Sequence, residues 1–450
     1  MESNQFDERA RSPWSPLADV KTVMVSPSEK RMNGSVTIPG SKSLTNRALI
    51  ISALANGRSK ITGILKSDDS YWCIDSLRKL GIEIEIRDNT VFIEGKGGEW
   101  NSSSSLYIGA AGTIARFLPG ALALSNNGAW EIEASESMSK RPISPLIDAL
   151  QELGADISYL NEMGYYPISI KGKELSGGHV SLSGKLSSQF ISGILIPSPY
   201  AKGSVNLNIK DYIVQHSYVY LTLQLMEKFG AQVVYDNKLE KIVINPSHYM
   251  PQELELEADA STACYFLALA ALTNGKIRIR NLTYETKQPD IKMVDILKRM
   301  GCNVTKGPSF IELEGAAQLK GGFEISMREM SDQTLTLAAI APFADGPITI
   351  KDVEHIRYHE SDRISAICYS LTELGIKVEE YRDGLKVYPG NPKPALLHTF
   401  DDHRVAMSLA LIGSKIEGIS LNDPGCVSKT CPHFFDMLEN LGLKILRTKG

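Results

Sequence analysis

The chain has no hydrophobic run of membrane-spanning length, no paired cysteines and no surplus of basic charge. Its longest apolar stretch, Ala263–Leu272, is far short of the roughly 20 residues that a spanning helix needs. The six cysteines, Cys73, Cys264, Cys302, Cys368, Cys426 and Cys431, are scattered, and none forms a CxxC pair. Even the closest two, Cys426 and Cys431, fit neither a zinc ribbon nor a redox motif, which leaves buried thiols of a reducing cytosol. A formal net charge of −4 lacks the basic excess that general nucleic-acid binding demands. It does not exclude local clusters of cations. The first stretch, Met1–Asp19, is polar, carries Pro13 and Pro16 and has no apolar h-region. Residues 1–20 are therefore expected to form a disordered extension, with no signal for export.

What is present is ordinary globular composition: 43% hydrophobic and 22% charged residues. A chain of 450 residues exceeds what one hydrophobic core usually serves, so two domains are expected.

The most informative feature is internal repetition. A short small-residue segment leading into an apolar helical pattern occurs six times, marked by Ser43, Gly112, Ser188, Ser261, Asp332 and Asp402 at steps of 69, 76, 73, 71 and 70. A second series, a large apolar residue followed by glycine, falls at Gly81, Gly154, Gly230, Gly301, Gly375 and Gly442. Glycine there fits a helix C-cap in the left-handed conformation. Runs such as Ile82-Glu-Ile-Glu-Ile86 follow, alternating in period two as strands do. Two series at one spacing predict six β/α units, too long for a solenoid repeat and divisible into two domains of three. The crossings are placed near Ile38–Gly40 and Pro251–Glu257. The expected division is a domain over 39–256 and a second over 21–38 plus 257–450, although the periodicity itself does not show that the N-terminal strand joins the second domain.

The six helix starts carry most of the Ser, Thr, Asp, Lys and Arg constellations. A helix N-terminus offers unsatisfied N–H groups and partial positive charge to phosphate or carboxylate. For Asp259 and Ser261 simple capping suffices. Lys42 is different, because a cation at a helix start opposes the dipole and calls for an anion nearby. Gly40-Ser-Lys-Ser43 lacks glycine directly before lysine, so the P-loop pattern fails. Arg141, Arg363, Arg404 and Lys429 lie in different units and can grip carboxylate or phosphate. Their acidic neighbours Glu360, Asp362, Asp401 and Asp402 read equally well as surface ion-pair partners.

Together these segments resemble the EPSP synthase (3-phosphoshikimate 1-carboxyvinyltransferase) family from about Val25 to Leu443. The resemblance is carried by Pro39-Gly-Ser-Lys-Ser-Leu-Thr-Asn-Arg47, Ser187-Ser-Gln-Phe190, Glu360-Ser-Asp-Arg363, Asp402-His-Arg-Val-Ala-Met407 and Ser428-Lys-Thr430. It implies an α/β (α+β) fold of two similar domains, each of three βαβαββ units in an inside-out barrel-like arrangement, closing over a cleft. It also implies transfer of the enolpyruvyl group of phosphoenolpyruvate to the 5-hydroxyl of shikimate 3-phosphate, with no metal and no cofactor. On the same basis the phosphoenolpyruvate site would use Lys42, Gly112, Arg141, Gln189, Arg363, Arg404 and Lys429. The shikimate 3-phosphate site would use Ser43, Arg47, Ser187, Ser188, Gln189, Tyr218, Asp332 and His359. Asp332 would orient or deprotonate the attacking hydroxyl, and Glu360 with Lys42 or Lys429 would shuttle the proton at the methylene carbon. The implied partners are these two small molecules, with neither nucleic acid nor membrane, and the protein is expected to be a cytoplasmic monomer.

The chain departs from the common family pattern at Ala110, Phe117, Gln215, His216, His355 and His359. His359 replaces a frequent lysine and would be neutral or pH-dependent near neutrality. The related transferase acting on UDP-N-acetylglucosamine is disfavoured, because the first motif reads Gly-Ser-Lys-Ser and Cys73 lies in a helical pattern rather than a loop. The RNA 3′-terminal phosphate cyclase would need nucleotide chemistry that the charge balance does not encourage. A non-catalytic module for phosphorylated metabolites would need the cations alone, whereas Asp332 and Glu360 beside them argue for proton transfer.

Overall fold

The computed structural model describes residues 8–101 and 103–449, so the disorder expected for residues 1–7 lies outside the described residues. Packing divides the chain into two compact units. One comprises Pro13–Pro39 with residues 257–449, the other residues 8–12 with Gly40–Leu256. Among the described residues each unit contains three four-stranded sheets.

One repeat shows the plan of all six. Strand Ser103–Tyr107 leads into helix Ile114–Ala123 and strand Ala129–Glu133, which pairs parallel with the first. Helix Ser144–Glu152 and strands Asp156–Tyr159 and Ile168–Lys171 follow, both antiparallel, in the chain order βαβαββ. The parallel pair needs a long crossover and the helix supplies it.

Three sheets are completed by strands remote in sequence. Glu253–Glu255 pairs parallel with Asn56–Thr62, and Asn33–Val36 with Lys276–Ile279. Val20–Ser26 lies antiparallel between Ile419–Asn422 and Lys444–Lys449, so the N-terminal strand joins the sheet of the last repeat.

The first helix of each repeat is the apolar one, and a helix apolar on all sides belongs in the interior. Every residue of helix Ala260–Leu272 is buried, as is every residue of Thr334–Ile340 and His403–Ile412, and these three pack on one another. In the other unit, buried helix Ile114–Ala123 packs against both Lys42–Leu54 and Ser188–Leu195. The sheets lie outside these helices. Interior helix ends are thereby brought together, which is how residues some seventy positions apart become neighbours.

All six glycines of the second series follow a helix and have positive φ, from 79° at Gly375 to 101° at Gly154. Each closes its helix with the same paired bonds, such as Gly81 N–H to the Arg78 carbonyl and Ile82 N–H to the Leu77 carbonyl. This is the Schellman motif, and it needs a left-handed residue at its centre.

The expected disorder of residues 1–20 is corrected for residues 9–20. Ala10, Ser12, Ser15, Leu17 and Val20 are buried. Proline and polarity masked the segment, because its anchors are hydrogen bonds rather than an apolar stripe. All six cysteines are buried, and burial raises the thiol pKa of Cys73, Cys264, Cys302, Cys368 and Cys431. Among the described residues no helix is long and apolar enough to cross a membrane.

Candidate active site

The densest charged cluster lies at three helix starts of the unit holding the last three repeats. Arg363 opens helix Arg363–Glu373 and is 1% exposed. All five of its N–H groups are engaged. Nε and Nη2 donate to the two carboxylate oxygens of Asp402 at 2.8 and 3.2 Å. Nη1 donates to Asp332 Oδ1 at 2.9 Å and to His359 Nδ1 at 3.0 Å, and Nη2 also reaches Glu360 Oε2 at 2.8 Å. Asp402 in addition caps the next helix, accepting the Arg404 backbone N–H at 2.9 Å. Arg404 Nη2 holds Asp332 Oδ2 at 2.8 Å, while Nη1 reaches the Tyr265 hydroxyl at 3.4 Å. Glu360 is shared, with Oε1 lying 3.5 Å from Lys429 Nζ.

Three cations thus meet three carboxylates. Removing one member of such a buried network costs about 3–5 kcal/mol, because it strands an uncompensated charge. Burial alone would raise the pKa of Asp332, but the guanidinium groups of Arg404 and Arg363 outweigh it and hold the carboxyl well below its ordinary range. Burial, joined by Arg363, pushes His359 far down. Because Arg363 can only donate, His359 Nδ1 is the acceptor and the ring is neutral with its proton on Nε2. Of the two expectations for His359, neutral or pH-dependent near neutrality, this agrees with the neutral ring. His355, whose Nε2 lies 2.8 Å from Ser331 Oγ, is lowered by burial to about 4.

The acidic neighbours separate into two kinds. Asp362 is the surface partner of Arg357 at 2.8 Å and caps its helix through Ser365 N–H. Glu360 and Asp402 are clamped on Arg363 instead.

The second cluster belongs to the unit of the first three repeats. Arg47, on the buried helix Lys42–Leu54, is 1% exposed. Its partners are the Thr222 hydroxyl at 2.7 Å, the Ser43 carbonyl at 2.9 Å, the Ser192 hydroxyl at 3.3 Å and the Tyr218 carbonyl at 3.5 Å. All are neutral. The guanidinium lies 5.1 Å from the Phe117 ring centre and 5.8 Å from that of Tyr218. Burial lowers its pKa to about 10. A desolvated cation with no carboxylate partner among the described residues favours an arriving anion.

Lys42 is the first residue of that helix, and its Nζ is 3.5 Å from Asp69 Oδ2. Asn46 Nδ2 donates to Thr113 Oγ1 at 2.6 Å, tying this helix to the turn that holds Gly112. A Cβ on Gly112 would stand 3.3 Å from Arg141 Nη1 and 3.7 Å from Arg116 Nη1. Ser187 caps the helix of Ser188 and Gln189 by accepting the Gln189 N–H at 3.1 Å. The side-chain oxygen of Gln189 is buried and has no hydrogen-bond partner among the described residues.

The structure therefore gathers Asp332, His359, Glu360, Arg363, Arg404 and Lys429 in one unit. In the other it joins Arg47 with Ser43 and Tyr218, sets Gly112 beside Arg141, and pairs Ser187 with Gln189. Sequence reasoning missed Asp69, Thr222, Ser192 and Tyr265. The acidic pair Asp68-Asp69 reads as a favourable first turn, and single hydroxyls inside apolar helices carry no signal of what they hold. Among the described residues no group of three or more His, Cys, Asp or Glu side chains could hold a metal ion.

A family model described as EPSP synthase (3-phosphoshikimate 1-carboxyvinyltransferase) matches residues 27–438. A relative from Halalkalibacterium halodurans, named 3-phosphoshikimate 1-carboxyvinyltransferase 2, is 66% identical over 443 residues, which cover 98% of this chain and 99% of the relative. A 3-phosphoshikimate 1-carboxyvinyltransferase from Trichormus variabilis is 39% identical over 417 residues, covering 92% and 97%. Among solved structures, an EPSP synthase from Acinetobacter baumannii superposes with a TM-score of 0.81 at 25% identity, covering 95% of this chain and all of that one.

Proposed function

The chain belongs to the EPSP synthase family, and we propose that its two charged clusters each supply residues for two anionic substrates. The enzyme transfers the enolpyruvyl (1-carboxyvinyl) group of phosphoenolpyruvate to the 5-hydroxyl of shikimate 3-phosphate. Addition followed by elimination gives 5-enolpyruvylshikimate 3-phosphate and phosphate, a step of aromatic amino-acid biosynthesis.

The observation that carries the residue assignment is Arg47, a buried guanidinium whose partners are all neutral. An anion completes its charge. In this reading Ser43, Arg47, Ser187, Ser188, Gln189 and Tyr218 hold shikimate 3-phosphate, with Asp332 and His359 serving the same substrate. Lys42, Gly112, Arg141, Gln189, Arg363, Arg404 and Lys429 hold phosphoenolpyruvate. Gly112 lets the backbone approach where a Cβ would crowd Arg141.

Asp332, held ionised by Arg404 and Arg363, is the group assigned to the attacking hydroxyl. A carboxylate held ionised accepts a hydrogen bond from that hydroxyl, which supports Asp332 as the residue that orients or deprotonates it. Arg363, Arg404 and Lys429 are the cations of this cluster assigned to the carboxylate and phosphate of phosphoenolpyruvate. Glu360, held by Arg363 Nη2 and 3.5 Å from Lys429 Nζ, is the carboxyl assigned to exchange a proton with the methylene carbon. Lys429, within reach of the other Glu360 oxygen, relays it. Fixed cations around the tetrahedral carbon stabilise the charge that develops there.

The finer reading is of a cytoplasmic monomer acting on small molecules alone, and a sedimentation coefficient independent of concentration tests the first part. Release of phosphate only when both substrates are present tests the reaction. Lys42→Met and Arg141→Ala are each expected to reduce turnover at least about a hundredfold, with unchanged far-ultraviolet circular dichroism. Saturable binding of both compounds without phosphate release would instead mark a binding module.

A further inference from the structure

The segment Arg9–Leu17 precedes the part of the chain that the family model matches, which begins at residue 27. It is nevertheless anchored at points adjoining three site elements. Ser12 donates twice to one oxygen of Asp68, from its backbone N–H at 2.9 Å and its hydroxyl at 2.6 Å. Asp68 is 4% exposed and is followed directly by Asp69, the carboxylate beside Lys42 Nζ. The Ala10 carbonyl accepts from Trp72 Nε1 at 2.9 Å. Trp72 in turn packs on Gly109, where a Cβ would come within 2.4 Å of that nitrogen, at the start of the turn that carries Gly112. The Arg9 guanidinium lies 4.9 Å from the centre of the Tyr107 ring, which stacks edge-on with Trp72. Further along, Ser15 Oγ and Ser428 Oγ share a 2.7 Å hydrogen bond, and Ser428 immediately precedes Lys429. The Leu17 carbonyl lies 3.1 Å from the position of a Cβ on Gly425, in the same turn.

We propose that residues 9–17 form a positioning strap for the active site, with Ser12 setting the Asp69–Lys42 pair through Asp68 and Ser15 setting Lys429 through Ser428. The proposal rests on the reading that Lys42 and Lys429 serve the reaction. Its physical basis is the cost of leaving a buried carboxylate short of donors. Deprived of the Ser12 hydroxyl, Asp68 either takes up a proton or turns toward solvent. Both responses disturb the first turn of helix Asp68–Lys79 and move Asp69 with it. Ser15 acts on the other lysine by fixing the rotamer of Ser428 and thus the turn Pro424–Lys429. Ser12 and Ser15 are positioning residues, since neither touches substrate.

The two anchors predict different kinetic signatures in the full-length enzyme. Ser12→Ala should raise the KM for phosphoenolpyruvate about tenfold, the loss expected of one hydrogen bond to a charged group, with kcat changed less than about twofold. Ser15→Ala should lower kcat several-fold and raise that KM as well, because Lys429 is assigned both to proton transfer and to holding phosphoenolpyruvate. Ser12→Thr, which keeps the hydroxyl, should restore the KM. Both alanine variants should melt within a few degrees of the parent. Parental constants in both variants would overturn the proposal. So would a loss of activity that follows the melting temperature and is not rescued by threonine. Lys42→Met reports on the underlying reading separately: parental turnover there would remove the lysine assignment, whatever the serine variants do.

Discussion

His355 and His359 enter the Arg363 cluster as neutral rings, and at the scale of single residues this has a measurable consequence. Burial lowers His355 from its ordinary 6.5 to about 4. The unfolded chain therefore takes up a proton first as the pH falls. The contribution to stability is full above about pH 6.5 and is lost as the pH drops toward 4. His355→Asn should remove up to about 3 kcal/mol of this pH dependence, read from urea unfolding at pH 7 and pH 4.5. At Gly112 the added methyl of Gly112→Ala would meet Arg141 Nη1 at 3.3 Å and displace it by a few tenths of an ångström. A rise in the KM for phosphoenolpyruvate of about tenfold or more, with a smaller change for shikimate 3-phosphate, is the expected result. Residue type in the sequence was enough to nominate Arg363 and Arg404. It could not separate Asp362 from Asp402, because a carboxylate reads the same at the surface and in the interior. Only the fold showed that Asp402 both caps a helix and clamps a guanidinium.

At the scale of elements, the glycines after the helices were legible because a left-handed C-cap is a local demand made in the same way six times. Gly301 isolates that demand. Its φ is 99°, and a Cβ there would only touch Ala316 and Lys320 at ordinary distances of 3.5 and 3.7 Å. Gly301→Ala should thus cost about 1–2 kcal/mol of stability from backbone strain alone, with kinetic constants unchanged. Thermal unfolding and steady-state assays on one preparation would check both halves. The apolar helices were equally legible, since Ala263–Leu272 reads as interior without reference to a partner. Strand pairing was not. Asn33–Val36 finds Lys276–Ile279 some 240 residues away, and nothing local in either strand names the other. The strap at residues 9–17 was hidden for a related reason. Its anchors are Ser12, Ser15 and a backbone carbonyl, which have no periodicity to detect.

For the whole molecule, ligand linkage gives the broadest test. A ligand that binds only the folded state stabilises it by about 2.7 kcal/mol at a hundred times its Kd. Shikimate 3-phosphate should accordingly raise the melting temperature by a few degrees, and a UDP-sugar at the same concentration should leave it unchanged. A shift produced by the nucleotide sugar alone would contradict the assignment of Arg47 and its hydroxyl partners. The sealed state of all six thiols bears on how such experiments can be made. Maleimide probes should label the native chain slowly, because all six cysteines are buried and burial raises the thiol pKa of Cys73, Cys264, Cys302, Cys368 and Cys431. A fluorophore can then be directed to one chosen place, for instance through Met163→Cys, whose parent side chain is 82% exposed. Burial of the native thiols would then serve as the quiet background for that single label.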